Sequence, residues 1–485
     1  MAISVYNSLT RRREEFTPLN PPRVGIYVCG PTVYGHSHLG HAKSYVSFDA
    51  IVRWLRHCGY EVNYVQNITD VGHLTDDADE GEDKVIAEAR RRGLHPMAVV
   101  EVYLRSYLED MDALNVQRPD IMPRATGHIP EQIAQIEALI AKGHAYVVNG
   151  SVYFDVGSYP EYGKLSGRNI EELEAGARVA VNAEKRHAAD FALWKRADAD
   201  HIMRWPSPWG EGFPGWHIEC SAMSQKYLGT TFDIHGGGLE NQFPHHECEI
   251  AQAECATGEG FARYWLHNNM CTLNGQKMGK SLGNAISLKQ VFTEGTPLLA
   301  KTFEPVVVRH FILTSHYRQP LDFSSEALAA AESGSYKLRD TLRDLSAKAG
   351  DAAPAPTDAV RAVLDETRGA FADAMNEDFN TAGAIGVLFT FLKHAGGWLR
   401  EGAPPESLAA ARDLLRELAC DVLGFRWTAP LGEGDTSKQD ELIRILVDLR
   451  NDARKQKNFE LSDQIRDRLA ALGVQLRDGP DGTTW

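Results

Sequence analysis

Residues 24–30, Val24-Gly25-Ile26-Tyr27-Val28-Cys29-Gly30, form a short apolar run that stops at a Gly-Pro pair. Such a run reads as a buried strand closed by a turn. Residues 43–57 then carry helical periodicity, with Tyr45, Phe48, Ile51, Val52 and Leu55 on one side, and residues 60–65 read as a second strand. Strand, helix, strand is most simply a right-handed parallel βαβ unit. The fold class that follows is α/β, a doubly wound, Rossmann-like parallel sheet. Such sheets take their ligands at the carboxyl ends of the strands. Cys29 and Thr69, the latter in the loop Asn67-Ile68-Thr69-Asp70, both fall there.

The 485 residues allow about three domains. A hydrophobic share of 43% is ordinary for a globular chain. No apolar run reaches the roughly 18 residues a membrane helix needs, so no membrane association is expected. The segment Met1-Ala2-Ile3-Ser4-Val5-Tyr6-Asn7-Ser8 lacks the apolar stretch of a signal peptide. The seven cysteines are odd in number and follow no disulfide framework. Reduced thiols and a cytoplasmic protein are the expectation. A net charge of −15 argues against a protein that coats nucleic acid generally. It still allows an RNA partner held by local basic patches.

The expected domains are a catalytic sheet domain of residues 1–117 and 205–270, interrupted by an insertion at 118–204. A junction at 271–323 carries a lysine loop, a helical bundle follows at 324–430, and a small α+β unit closes the chain at 431–485. Within the insertion, residues 128–142 read as a helix, and Asn149-Gly150 marks a hairpin. The sheet is expected to resume near Trp216 and run to about residue 262. Residues 349–357, with Pro354 and Pro356, read as an interhelical loop, residues 431–438 as a linker, and Val474-Gln475-Leu476 as a strand.

Three motifs carry chemistry. His38-Leu39-Gly40-His41 opens the predicted helix. Backbone N–H groups and the macrodipole favour phosphate there, and Gly40 lets it approach. Histidines at helix starts are common, so the motif alone leaves both readings open. Lys277-Met278-Gly279-Lys280-Ser281 places two lysines on a glycine-containing loop. That pair suits charge developing on a departing phosphoryl group, although a solvated basic turn has the same composition. His235-Gly236-Gly237-Gly238-Leu239-Glu240 follows a predicted strand at 231–234. The glycines permit close backbone approach to a ligand, with Glu240 placed for sugar hydroxyls, and an ordinary flexible turn is the competing reading. The first two motifs in one chain are far more specific than either alone.

Cys29, Cys220, His245 and Glu249 form a candidate Zn²⁺ quartet. His245 and Glu249 stand four apart after Pro244, which suits the first turn of a helix. His246 and Cys248 are expected to point away from that face. Cys58, Cys255, Cys271 and Cys420 read as small buried hydrophobes.

Taken together, the residues resemble the class I aminoacyl-tRNA synthetases and, within them, the cysteinyl-tRNA synthetases. The matching blocks include residues 27–34, 67–71, 162–168, 190–195 and 215–223, and the triple-glycine run. Residues 243–247, 377–381 and 457–463 continue the match, so it spans nearly the whole chain. The resemblance implies Zn²⁺ on Cys29, Cys220, His245 and Glu249. It implies catalytic roles for His38, His41, Lys277 and Lys280, and ATP with Mg²⁺ held by Gly30, Thr32, His38, Gly40, His41, Gly237, Glu240 and Lys280. Cys29, Thr69, Trp216 and His235 would form the cysteine pocket. Two departures stand out: Gly279 replaces the serine usual in the loop, and Glu240 replaces an aspartate.

The implied reaction forms cysteinyl-adenylate and pyrophosphate, then transfers cysteine to the 3′ end of tRNA(Cys), with the enzyme a monomer. An apolar pocket alone separates near-isosteres by only roughly 10–200-fold. Zinc binding of the substrate thiolate is therefore the expected source of specificity, with Glu249 the ligand expected to yield. The helical bundle and the last unit are expected to contact tRNA. In the last unit Arg450, Arg454, Lys455, Lys457, Arg466 and Arg468 alternate with acids, as in any salt-bridged solvated helix. Two rivals remain: a ligase that passes cysteine to an amino sugar, and a zinc-containing RNA-binding protein without catalysis.

Overall fold

The computed structural model describes residues 2–72, 83–168, 184–198, 201–279, 282–427, 436–455, 458–471, 474, 476–479 and 482–484. It divides into two units, Met1–Phe425 and Arg426–Trp485.

The first unit opens with a hairpin of β1 (Ser4–Asn7) and β2 (Arg12–Glu15). Strand β3 (Arg23–Val28), helix α1 (Leu39–His57) and strand β4 (Glu61–Gln66) then form the expected parallel unit. Helices α2 (Lys84–Arg92), α3 (Pro96–Ala113) and α4 (Ile129–Ala141) follow.

Strands β5 (Ala145–Val148), β6 (Ser151–Phe154), β7 (Phe191–Arg196) and β8 (Gly212–Pro214) make a separate antiparallel sheet. Its first turn is the predicted Asn149-Gly150 hairpin, with both residues at positive φ (51° and 87°) as a two-residue turn demands. This sheet runs past residue 204, where the insertion was expected to end.

Trp216 begins a helix, α5 (Trp216–Leu228), where the sheet was expected to resume. The main sheet resumes at β9 (Phe232–Gly238) and, after α6 (His245–Thr257), ends with β10 (Ala262–Asn268). Its order is β10-β9-β3-β4, all parallel. Gly236, Gly237 and Gly238 lie inside β9, paired with Leu266, His267 and Asn268. The glycines, expected to follow the strand, are thus part of a central strand. Packing requires the glycines: a Cβ on Gly236 would stand 2.3 Å from the Phe48 ring of α1.

Strands β11 (Cys271–Leu273), β12 (Gln276–Lys277) and, after α7 (Pro305–Leu313), β13 (Leu321–Phe323) form a small third sheet. The bundle is α8 (Ser325–Ala349), α9 (Asp358–Asn376), α10 (Thr381–Glu401) and α11 (Pro405–Leu415). The predicted loop at 349–357 separates α8 from α9.

The second unit holds α12 (Thr436–Lys455), α13 (Phe459–Ala471) and a hairpin of β14 (Arg477–Gly479) and β15 (Gly482–Thr484). The predicted linker at 431–438 overlaps α12, because threonine and serine open helices as readily as they fill loops; its residues 431–435 lie outside the described residues. The strand expected at Val474-Gln475-Leu476 falls instead at Arg477–Gly479, where a partner strand is available. Gln475 itself is outside the described residues. Cys255 and Cys271 are buried as expected, but Cys58 is exposed and Cys420 only half-buried.

A buried charge cluster ties α1 to its surroundings. Asp49 accepts hydrogen bonds from Arg309 of α7 and, at 2.7 Å, from Arg53. Arg309 also donates to the carbonyls of Leu423 (2.8 Å), Leu114 (2.9 Å) and Asn115 (3.2 Å). Gly424, at φ 67°, leaves room for the guanidinium; a Cβ there would meet Arg309 Nη2 at 2.3 Å. Removing one partner of a buried pair typically costs about 3–5 kcal/mol. We therefore expect Arg309→Met to lower the urea midpoint of unfolding by that equivalent, with partial recovery in the Asp49→Asn/Arg309→Met double variant.

Candidate active site

Helix α1 begins at the carboxyl end of β3, and its start is built from histidine. His38 is the N-cap, and its Nδ1 accepts the Gly40 N–H at 3.1 Å. His41 Nδ1 accepts the His38 N–H at 3.2 Å, completing a capping box. The two rings stack with centroids 3.9 Å apart. Because each Nδ1 is an acceptor, a neutral ring carries its proton on Nε2. Each imidazole is thereby set up as a donor beside the positive end of a helix.

These histidines line a cleft of about 310 Å³ together with Gly30, Thr32, Gly40 and Thr69. Trp216, Cys29, Cys220, His245 and Glu240 line it as well. Gly30 is needed at the mouth: its N–H donates to Asn67 Oδ1 at 2.8 Å, and a Cβ would stand 1.6 Å from Asn67 O. Thr69 donates its hydroxyl to Glu219 Oε2 at 2.9 Å. Burial holds the Glu219 carboxyl well above the usual carboxylate range. Trp216 stacks on His245, ring centroids 4.1 Å apart.

The predicted quartet comes together on the cleft floor. Ligand atoms of Cys29, Cys220, His245 and Glu249 all lie within 4.8 Å of one another, every residue buried. His245 Nε2 sits 3.5 Å from Cys220 Sγ and 3.0 Å from Glu249 Oε1. Its Nδ1 meets His217 Nδ1 at 2.8 Å, the outer hydrogen bond that orients a metal-binding imidazole. The thiols differ. Burial, with Cys220 beside it, pushes the Cys29 thiol well above its usual range. Burial also raises Cys220, but its hydrogen bond with Cys29 and the adjacent His245 outweigh this and bring it to about 6. Two thiols, an imidazole and a carboxylate at this spacing fit a tetrahedral Zn²⁺.

Three placements differ from expectation. His246 does not point away: its Nε2 is 3.2 Å from Cys29 Sγ, and its Nδ1 is 2.9 Å from His267 Nε2. Cys29 Sγ thus lies within 4.8 Å of ligand nitrogens of both successive imidazoles, His245 and His246. Cys29, His235, His246 and Glu249 consequently form a second donor set. Its two histidines do not line the cleft, whereas Cys29, Cys220 and His245 do. His235, expected in the cysteine pocket, is fully buried behind it, with Nε2 2.7 Å from Glu249 Oε2. Gly237 is likewise set back, and Gly238 lines the cleft in its place.

Cys248 stands apart from both donor sets, with Tyr162 Oη at 3.4 Å. Lys277 is exposed on β12. Asn284 brackets the loop, accepting from Gly279 N at 2.9 Å and donating to Lys277 O at 3.0 Å. Lys280 lies outside the described residues. Sequence reasoning missed Lys84, which lines the cleft, and the supporting His217 and His267. His217 sits inside the Gly215–Met223 block, whose two histidine and cysteine positions were its only signal.

The family description "tRNA synthetases class I (C) catalytic domain" matches residues 15–333, and "DALR domain" matches residues 370–427. The cysteine–tRNA ligase of Chlorobaculum tepidum is 54% identical over 100% of this chain and 99% of its own length. That of Thermus thermophilus is 50% identical over the same shares. Among solved structures, Mycobacterium tuberculosis methionyl-tRNA synthetase in complex with methionyl-adenylate aligns with a TM-score of 0.55 at 16% identity. That alignment covers 83% of this chain and 89% of the other. The Agrobacterium radiobacter K84 agnB2 LeuRS ternary complex aligns with a TM-score of 0.58 at 13% identity, covering 84% of each chain. At such identities these two structures speak to the fold, while the full-length relatives establish kinship: the chain belongs to the cysteine–tRNA ligase family of class I aminoacyl-tRNA synthetases.

Proposed function

We propose that this chain activates L-cysteine with ATP and transfers it to the 3′ end of tRNA(Cys). The observation that carries this reading is the shared cleft. Cys29, Cys220 and His245 open into the same space as the paired imidazoles of His38 and His41. One end of the cleft is thus made for a soft ligand and the other for an anion.

In the first step the cysteine carboxylate attacks the α-phosphate and pyrophosphate leaves. His38 and His41 donate from Nε2 to phosphate oxygens at the helix start. Lys277, with Lys280, neutralises charge on the departing pyrophosphate, and Mg²⁺ accompanies the nucleotide. Gly30 and Thr32 shape the nucleotide side, and Glu240 faces the ribose. The chemistry is largely positioning and charge stabilisation.

Cys29, Cys220, His245 and Glu249 would hold Zn²⁺, which when bound would supply a soft Lewis acid favouring thiolate over hydroxyl. Thr69 and Trp216 confine the amino acid beside that quartet. Glu249, one of whose oxygens also meets His235 Nε2 at 2.7 Å, would be the ligand suited to yield to the substrate thiolate. The bundle and the C-terminal unit take the tRNA. The amino-sugar reading finds no support, since relatives matched over their full length are tRNA ligases. No helix among the described residues is long and apolar enough to cross a membrane.

The direct test is ATP–pyrophosphate exchange and tRNA charging with purified protein. Cysteine-dependent exchange together with charging is expected, and neither activity would refute the reading. Lys277→Ala should lower exchange by about 10²–10³-fold, as loss of one such charge contact does elsewhere. Deletion from residue 431 should impair charging far more than exchange. Metal uptake displaces protons from Cys29 and His245, whose pKa values lie well above the usual thiol range and at about 10. Chelator competition should therefore show zinc affinity falling as pH is lowered from about 8 to about 6. Removing the metal should erase the preference for cysteine over serine.

A further inference from the structure

Lys43 stands on α1 two residues beyond His41, and it is only 1% exposed. Both its hydrogen-bond acceptors are backbone carbonyls: Nζ donates to Gln319 O at 2.5 Å and to Met270 O at 3.2 Å. The ionisable groups acting on it from around this site are the Cys271 thiol and the Glu240 carboxylate. Burying an ammonium is costly even when hydrogen-bonded, and burial draws its pKa down to about 8. An apolar chain of similar volume would fill the space without that cost. Stability alone therefore does not account for a lysine here.

The two carbonyls sit at the root of the small third sheet. Met270 immediately precedes β11, and Gln319 lies just before β13. The N–H of Leu321 donates to the same Met270 carbonyl at 3.1 Å. β11 pairs in parallel with β13 and antiparallel with β12, whose last residue is Lys277. On the far side of the loop, Leu288 N donates to Ser37 O at 2.8 Å, and Ser287 bridges to His38. The chain thus enters and leaves the lysine loop fastened to one segment, the segment that carries His38 and His41. The exit fastening uses backbone alone, which any side chain permits. The entry is held by side chains: Ser44 Oγ donates to Asn268 Oδ1 at 2.9 Å, Cys271 Sγ lies 3.9 Å from Leu39 O, and Lys43 supplies the charged contact, the one that reaches both carbonyls at the root of the sheet.

We propose that Lys43 is a positioning residue for amino-acid activation: through the carbonyls of Met270 and Gln319 it sets the strand bearing Lys277 in register with His38 and His41. This rests on the reading that those three residues act on ATP. It assigns to the buried ammonium a role in the rate of the chemical step and none in the binding of cysteine. Cysteine binds at the quartet, and none of those ligands touches Lys43.

The experiment compares full-length wild type, Lys43→Met and Lys43→Arg in cysteine-dependent ATP–pyrophosphate exchange, with thermal unfolding measured in parallel. Misplacing a reacting group by about 1 Å costs on the order of 10²-fold, so kcat for Lys43→Met should fall by about 10–100-fold. Its KM for cysteine should stay within about twofold, and its melting temperature should match or exceed that of wild type. Lys43→Arg, which can donate to both carbonyls, should recover most of the lost kcat. Lys43→Met with wild-type kcat, or Lys43→Arg as impaired as Lys43→Met, would overturn the role of Lys43 and leave the function reading standing. Wild-type protein without cysteine-dependent exchange would overturn the function reading itself. Should Lys43→Met unfold early, Lys43→Leu, which also lacks a donor, is judged by the same criteria.

Discussion

Helix α1 is fixed along its length by polar contacts that a shift would break, and the catalytic end of the molecule depends on this. Asp49, fully buried, is paired with Arg309 and Arg53, and Arg309 collects three further carbonyls from two distant segments. Trp54 Nε1 donates to Asn376 of α9 at 3.1 Å. Nearer the cleft, Lys43 binds the root of the third sheet and Ser44 donates to Asn268 at 2.9 Å. A buried charge that loses its partner is expensive, so such contacts act as stops. The stacked histidines at the start of α1 are therefore held by interactions far from the cleft. The Trp54–Asn376 hydrogen bond joins α1 to the bundle directly, and the Asp49–Arg309 pair joins it to α7.

The quartet has a wet side and a dry side. Cys29, Cys220 and His245 face the cleft, while Glu249 is turned inward to His235. Two imidazoles of the cluster have a further partner: His217 for His245 and His267 for His246. The result is a donor set oriented by its neighbours, which would lower the reorganisation that binding an ion requires. The unequal thiols follow from the same packing.

Much of the fold was legible because parallel strands buried on both faces are continuous apolar runs. Residues 24–30 are of that kind, whereas residues 60–65 alternate, with Glu61 and Asn63 exposed on the edge strand β4; the amphipathic stretch between them left little choice of connection. The triple glycine reads as following the strand because glycine is a poor strand former by itself. Here neighbours on both sides supply the ladder, and the ring of Phe48 forbids a larger residue. Trp216 was misread as strand because a half-buried helix start and a short strand look alike over a few residues. His246 escaped because helical wheel reasoning considers directions within one helix and cannot know from which side Cys29 arrives.

Residue chemistry and local order were therefore settled by the sequence: the βαβ start, the Asn149-Gly150 hairpin, the histidine-glycine helix start, the paired lysines and the thiol, imidazole and carboxylate candidates. These depend on neighbours within a few residues, and the ordered blocks sufficed to recognise a family. Tertiary structure alone decided which donors face the cleft, that His235 backs Glu249 instead of lining the pocket, and that Lys43 reaches two carbonyls more than 200 residues away in the chain. Those outcomes depend on the angle at which distant segments meet, and no local pattern of residues encodes that angle.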